Sequence, residues 1–181
     1  MARMRSCSLM ETAQRVECLD NAALAIAPAR APSGGWTVGL TTSPVDYLPV
    51  AAASVAARAD AVQGAAPPWR LTIRCRGGRT EVTVEGAGIA RGDQAISYQI
   101  NGGPAVRVGA ASPPSGSGVA LGGDAVRLVQ SLPDGGSLAV RLQAPGRVAA
   151  EAAFPLDGLD AVRQRLASVC RWPHALARPG E

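Results

Sequence analysis

Residues 71–84 read Leu71-Thr-Ile-Arg-Cys75-Arg-Gly-Gly-Arg-Thr80-Glu-Val-Thr-Val84, with apolar and polar side chains alternating on either side of a glycine pair. Such alternation is typical of strands with one buried face, and a glycine pair between them favours a two-residue turn of the primed type. This turn places Ile73 opposite Val82 and Arg74 opposite Glu81, so that apolar side chains share one face and charged side chains the other. The stretch therefore predicts an antiparallel hairpin on which the rest of the fold is built.

Two further hairpins are predicted by the same alternation. In the first of them a three-residue loop, Asn101-Gly-Gly103, gives the register that keeps the apolar side chains on one face. The second turns at Ala144-Pro-Gly146. The predicted pairings are 96–100 with 104–108, with Tyr98 opposite Val106 and Ile96 opposite Val108, and 138–142 with 148–154, with Leu142 opposite Val148, Val140 opposite Ala150 and Leu138 opposite Ala152.

The other segments are assigned by periodicity and by their breakers. Residues 36–40 alternate as a strand, and 50–63 are assigned to a strand followed by an Ala-rich loop. The segment 109–123 is rich in Ser, Pro and Gly and is expected to be an exposed loop. Apolar stripes at helical spacing predict helices over 12–27 and 158–171, the second capped by Asp157.

These elements predict a mainly β fold, an antiparallel β-sandwich or half-barrel of seven or eight strands with one N-terminal and one C-terminal helix. The 181 residues include 21 Gly and 14 Pro, which fits many turns between short strands. The predicted organisation is an N-terminal helical segment (1–27), a linker (28–35), a β domain with the C-terminal helix (36–172) and a tail (173–181).

The charge distribution does not indicate a nucleic-acid partner. The formal net charge is +4, and the basic residues are not interleaved with aromatic ones. Arg74, Arg76 and Arg79 cluster around one turn and are interpreted as solvated charge. No segment approaches the ~20 apolar residues of a membrane span, so no span is expected.

The four cysteines, Cys7, Cys18, Cys75 and Cys170, lie in separate segments without the close Cys or His pairs that a zinc site needs. An even count of this kind predicts two structural disulfides and an oxidising compartment, whereas a cytosolic chain would keep thiols. We expect Cys75–Cys170 to pin the last helix onto the central hairpin, and Cys7–Cys18 to form if the chain reverses near residues 9–12. No signal peptide is visible, so we expect the true N-terminus to be missing from this sequence.

The sequence predicts no catalytic, metal-binding or cofactor-binding residue. His174 is the single histidine and lies in the tail, and no Gly-rich phosphate loop opens a helix. A hydrolase using Asp46 or Asp157 is the weakest of the hypotheses, because the carboxylates are isolated in sequence.

Three sets of motifs resemble a known family. They are Cys7 with Arg15-Val-Glu-Cys18-Leu-Asp20; Trp36 followed by Ser43-Pro-Val-Asp46; and the strands 71–75, 80–84 and 96–100 followed by Phe154-Pro-Leu-Asp-Gly-Leu159 and Cys170-Arg-Trp172. In order and spacing they are similar to the VasI/TagO-like proteins associated with type VI secretion systems. This chain departs from that pattern at Leu19, where the family usually has Tyr, at Tyr47-Leu48, where it has Asp-Ser, and at Gln99, where it often has Arg.

The resemblance implies an exported, disulfide-bonded β domain, periplasmic or extracellular, that accompanies an envelope-spanning machine. The leading hypothesis is a non-catalytic accessory or interaction protein with protein partners in the bacterial envelope, and candidate partner contacts are Ser43, Asp46, Tyr47 and Trp36. The alternatives are an accessory subunit of another membrane-bound assembly, or a periplasmic small-molecule or glycan-binding module. The binding module would need an aromatic platform built from Trp36, Trp69, Tyr47 or Tyr98.

Overall fold

The computed structural model describes residues 34–58, 69–87, 89, 95–114, 116, 118–143 and 149–172. Within these ranges the chain forms nine strands and two helices. They are β1 (Thr37–Thr42), β2 (Pro49–Ala56), β3 (Arg70–Arg76), β4 (Arg79–Glu85), β5 (Ala95–Ile100), β6 (Val106–Ala111), β7 (Val119–Leu121), α1 (Ala125–Ser131), β8 (Ser137–Gln143), β9 (Ala150–Pro155) and α2 (Leu159–Cys170).

The nine strands form one antiparallel sheet in the order β1-β2-β3-β4-β7-β6-β5-β8-β9. Strand β6 joins the two halves, because residues 106–109 pair with β5 whereas Ala110 and Ala111 pair with β7. The sheet folds back on itself, since the Arg58 backbone N–H just beyond β2 donates to the Ala153 carbonyl of β9 at 2.8 Å. Buried side chains from both halves and both helices pack into one core cluster. The prediction of a mainly β, antiparallel fold is confirmed, but the predicted count of seven or eight strands is wrong, since the described residues form nine strands in one sheet.

The registers of the first two predicted hairpins are confirmed. Ile73 pairs with Val82 and Arg74 with Glu81 across the Gly77-Gly78 turn. Both glycines have positive φ, as a primed turn requires. In the next hairpin Tyr98 pairs with Val106. In both hairpins the apolar face fixes the register, because a one-residue slip would turn every core side chain toward solvent.

The predicted register of the last hairpin is wrong by two residues. Leu142 pairs with Ala150 rather than Val148, and Leu138 pairs with Phe154 rather than Ala152. Both registers put the same side chains on the same face, since the pleat repeats every two residues. The observed register sets the large Phe154 side chain, fully buried, directly against Leu138.

The exposed loop predicted over 109–123 is wrong at its start and near its end, where the structure has strands. Strand β6 continues to Ala111, and Val119–Leu121 form β7, a strand with all three residues buried. Helix α1 follows, and the Asp124 side chain caps it by accepting a hydrogen bond from the Arg127 backbone N–H at 3.0 Å. Three apolar residues between glycines are too short a run to show alternation, so the pattern indicated a loop.

The C-terminal helix is confirmed as α2, with its buried stripe toward β2 and β3. Its N-cap is Gly158 in the left-handed conformation, with no side-chain cap bond, so the prediction that Asp157 caps it is wrong. Cys170 at its end forms the predicted disulfide with Cys75 of β3, with a Cα–Cα distance of 5.8 Å.

Several predictions fall on other parts of the chain. The helix over 12–27, the linker up to residue 33, the Cys7–Cys18 pair and the tail with His174 lie outside the described residues. Neither α1 nor α2, the helices of the described ranges, has the length and apolar character needed to cross a membrane.

Candidate functional site

The largest exposed apolar side chains gather where β1 turns into β2. Val45 is 83% exposed, Tyr47 80% and Leu40 62%, and Leu48 is also exposed. Leu40 shares the core-facing side of β1 with buried Val38, but β1 is an edge strand that pairs only with β2 among the described strands. Clustered apolar side chains that remain in solvent mark an interaction surface more often than single ones do.

The turn itself, residues 43–48, is closed by its own backbone and is called the hairpin tip below. The Ser43 N–H donates to the Leu48 carbonyl, and the Tyr47 N–H donates to the Ser43 carbonyl, both at 2.9 Å. Tyr47 adopts a φ of 55°, in the left-handed region that non-glycine residues rarely occupy. The tip therefore holds a large aromatic residue in a costly conformation and leaves its ring in water.

Asp46 anchors the hairpin tip to the sheet. Its Oδ1 accepts from the Leu48 N–H at 3.3 Å, and its Oδ2 accepts from Arg76 Nη2 at 2.7 Å and Nε at 3.2 Å. Hydrogen bonding to Ser43, and after it to Arg76, lowers the pKa of the Asp46 carboxyl below its usual value. Both carboxylate oxygens of Asp46 thus hold the tip in place. The ion pair joins the tip to Arg76 of β3, which lies 30 residues further along the chain.

The hairpin tip also rests on the neighbouring β3–β4 turn. A Cβ atom placed on Gly77 would stand 3.0 Å from Leu48 Cδ1, so the Leu48 side chain lies directly against that turn. The Gly77-Gly78 turn that sets the central register therefore also supports the exposed tip.

The structure brings together three of the four predicted partner contacts. Ser43 is buried and supports the tip, while Asp46 and Tyr47 lie exposed on it. Trp36 is fully buried in the core cluster, away from solvent. Trp69 is buried in the same cluster, so neither tryptophan presents an open stacking face. Asp46 and Asp157 are not brought together, since Asp46 precedes β2 whereas Asp157 lies near Arg58, beyond its other end.

A groove of about 490 Å³ lies beside the hairpin tip and is called the arginine groove below. Its floor is the outer face of β1–β4. Cross-strand pairing puts four residues in one row across these strands: Thr41, Val50, Arg76 and Arg79. Arg74, two residues before Arg76 on β3, pairs with Glu81 in the next row of the same face. The lining residues are Thr41, Thr42, Ser43, Pro44, Val45, Val50, Arg74, Arg76, Arg79, Thr80, Glu81 and Pro114.

The three arginines of the groove differ in their partners. Arg76 binds Asp46, whereas within the described part of the chain the guanidinium groups of Arg74 and Arg79 make neither a hydrogen bond nor an ion pair. The Glu81 carboxylate lines the same groove, and its Oε2 is buried without a hydrogen-bond partner among the described residues. From the sequence these arginines are interpreted as solvated charge, and the groove is not predicted. The alternation along β3 places Arg74 and Arg76 on one face, but it does not give the order of the strands that form the groove around them.

Among the described residues, no group of three or more His, Cys, Asp or Glu side chains could hold a metal ion. No protein-family model, curated protein or solved structure matches the chain. The likeness to VasI/TagO-like proteins therefore stays a prediction that rests on the quoted motifs.

Proposed function

We propose that this protein is a non-catalytic, exported accessory protein of a bacterial envelope complex, and that it contacts its partner through the hairpin tip. One observation carries the proposal: Val45 and Tyr47, the most exposed of the large apolar side chains, project from a turn that Asp46 and Arg76 hold in place. Tyrosine is enriched at protein interfaces, where it supplies a large contact area from a side chain with few rotatable bonds.

The fixed shape of the tip favours a binding role. A loop that must become ordered on binding loses conformational entropy, and this loss weakens the complex. Here the backbone bonds of Ser43 and the Asp46–Arg76 ion pair already hold the loop before a partner arrives. The tip therefore offers its apolar side chains at low entropic cost.

Export is supported by the Cys75–Cys170 disulfide. Both cysteines are buried, and the bridge joins residues separated by 95 positions. Structural disulfides of this kind persist in the periplasm and outside the cell and are rare in the cytosol. The bridge therefore supports a periplasmic or extracellular location for the interaction.

The assignment to type VI secretion rests on the resemblance. It is carried by Ser43-Pro-Val-Asp46, which forms most of the hairpin tip, and by Cys170-Arg-Trp172, which ends α2. An accessory role in another membrane-bound assembly uses the same surface, and the identity of the captured partner distinguishes the two.

Site-specific photo-crosslinking in the native host tests the proposal. A photoreactive amino acid at Tyr47, and separately at Val45, is expected to capture the same envelope protein. Val106, which is also exposed but lies on β6, is the matched control position and should not capture that protein. Recovery of no recurrent envelope protein from the two tip positions would overturn the proposal.

A further inference from the structure

The arginine groove holds two arginines that form no ion pair with any described residue. Arg74 and Arg79 extend from adjacent strands on the outer face of the sheet, and within the described residues no carboxylate lies in ion-pair range of either. A concave site of about 490 Å³ falls in the size range of ligand pockets, which concentrate the field of the charges that line them.

We propose that the arginine groove is a carboxylate-binding site that takes an acidic side chain of an extended partner segment on Arg74 and Arg79. The inference rests on the proposed function, because it names the chemistry of the segment that accompanies contact with the hairpin tip. Guanidinium groups suit this task, since their planar N–H donors match the two oxygens of a carboxylate.

An internal ion pair shows how this wall of the groove binds a carboxylate. Asp46 projects from the hairpin tip onto Arg76, which donates to it from both Nε and Nη2. Arg79 pairs directly with Arg76 across the strands, and Arg74 lies two residues before Arg76 on the same face. A second carboxylate that enters from outside the chain meets the same donor chemistry next to the occupied position.

Glu81 restricts which anions fit. Its carboxylate lines the groove opposite Arg74, so it repels a ligand that carries several negative charges at one point, such as phosphate. Its Oε2 accepts no hydrogen bond from the described residues, and a buried acceptor without a donor is costly. The ligand must therefore carry little negative charge near Glu81 and offer a hydrogen-bond donor to its Oε2. A peptide segment meets both requirements, because it brings one negative charge on each acidic side chain and N–H donors along its backbone.

The apolar rim argues for a segment that mixes acidic and apolar residues. Val45 belongs both to the exposed tip and to the lining of the groove, and Tyr47 lies two residues further along the same turn. A segment that places an acidic side chain on Arg74 and Arg79 can therefore lay a neighbouring apolar side chain against Val45. Burial of that pair would add affinity beyond the charge contact.

Fluorescence anisotropy with the full chain and labelled synthetic peptides tests the inference. The probe is a short, end-blocked peptide of alternating Glu and Val, and its matched control replaces every Glu by Gln. We expect the Glu peptide to bind roughly tenfold more tightly than the Gln peptide, and the difference to shrink as salt is raised. Equal binding of the two peptides would overturn the inference.

Variants locate the site. The double variant Arg74→Ala with Arg79→Ala should bind the Glu peptide roughly tenfold more weakly. Arg107→Ala with Arg141→Ala removes the same charge from exposed positions in β6 and β8 and should bind it normally. Arg74→Lys with Arg79→Lys keeps the charge and the packing and should show an intermediate loss. A similar loss in the control pair would mean that only net charge matters, and the site assignment would fail.

Competition tests whether the groove prefers a carboxylate to phosphate. Glutarate should displace the labelled peptide, whereas phosphate at equal concentration should displace it less, and Glu81→Gln should narrow that difference. Stronger displacement by phosphate would overturn the assignment of a carboxylate ligand. These arms are independent of the crosslinking test: peptide binding without an envelope partner would refute the proposed function alone, and crosslinking without peptide binding would refute this inference alone.

Discussion

The Trp172 indole Nε1 donates a hydrogen bond of 2.7 Å to the Thr80 hydroxyl, joining residues 92 positions apart. Thr80 pairs across the β3–β4 hairpin with Cys75, and Cys75 is bridged to Cys170, two residues before Trp172. The end of α2 is therefore fastened to the central hairpin by a covalent bond and a hydrogen bond side by side. Leu48 rests on the turn of the same hairpin, so this fastening also supports the exposed tip.

Removal of the disulfide should destabilise the fold strongly. The double variant Cys75→Ala with Cys170→Ala frees a loop of 95 residues, which costs roughly 4–5 kcal/mol in the chain-entropy description. Urea unfolding should show the loss as a lower midpoint, and mass mapping of unreduced protein should recover the Cys75–Cys170 cross-linked peptides. Cys7→Ala with Cys18→Ala is the matched control and should keep that bridge. Thiols at both Cys75 and Cys170 in protein from the native host would contradict the prediction.

The hydrogen bond of Trp172 should make its own, smaller contribution. Trp172→Phe keeps a buried aromatic ring and removes the donor, and Thr80→Val removes the acceptor. Each change should lower the free energy of unfolding by about 1 kcal/mol, and the double variant should cost less than the sum. Thr80→Ser retains the hydroxyl and serves as the control. Additive losses in the double-mutant cycle would mean that the two groups do not interact.

Glycine substitutions should show that β7 belongs to the sheet. A Cβ on Gly118 would stand 2.3 Å from the Val84 carbonyl oxygen of β4, whereas a Cβ on Gly78 meets nothing within 4 Å. Both glycines have positive φ, 73° and 80°, so alanine carries a similar backbone penalty at each position. Gly118→Ala should therefore lower the thermal midpoint clearly more than Gly78→Ala, and equal shifts would place β7 away from β4.

Asp46 should confer a pH dependence on the hairpin tip in the acid range. Its pKa in the folded protein lies below the usual value of 3.8, because hydrogen bonding to Ser43 and to Arg76 favours the charged form. A lowered carboxyl pKa contributes stability that is present above pH 3.8 and is lost as the pH falls through the folded-state value. An NMR titration of the Leu48 amide, which donates to Asp46, should report this low value.

Variants of the two partners provide the control for that titration. Ser43→Ala and Arg76→Ala should each move the Asp46 pKa back toward its usual value, since each removes a hydrogen bond to the carboxylate. Asp46→Asn should remove the low-pH transition of Leu48. A titration that persists in the Asn variant would assign the transition to another carboxyl.

The central hairpin could be predicted residue by residue because two independent signals agree there. The alternation from Leu71 to Val84 gives the faces, and the Gly77-Gly78 pair gives the turn. Neither signal resolves the last hairpin, because a two-residue slip leaves every face unchanged and the turn residues allow several loop lengths. The register there depends on the tertiary environment that surrounds Phe154.

The candidate site could be predicted only in part, because contacts across the sheet create it. The sequence identified the turn of Ser43, Asp46 and Tyr47, which lie close together in the chain. It could not identify the Asp46–Arg76 ion pair or the arginine groove, since both depend on β2 lying between β1 and β3. Trp36 shares the motif with these residues but lies just before β1 and is buried in the core, so proximity in sequence did not predict its exposure.

Tyr47 allows stability and binding to be separated at one position. Its left-handed backbone suits glycine better than tyrosine, and its ring is almost entirely in solvent, so Tyr47→Gly should leave the free energy of unfolding unchanged or raise it by up to about 1 kcal/mol. The same variant should lose photo-crosslinking from Val45 to the envelope partner, because the aromatic contact is gone. If Tyr47 lowers stability but serves partner contact, its replacement should leave stability unchanged or higher while it weakens binding. A clear loss of stability in Tyr47→Gly would show instead that the ring supports the fold, and the partner contact would have to be sought elsewhere on the hairpin tip.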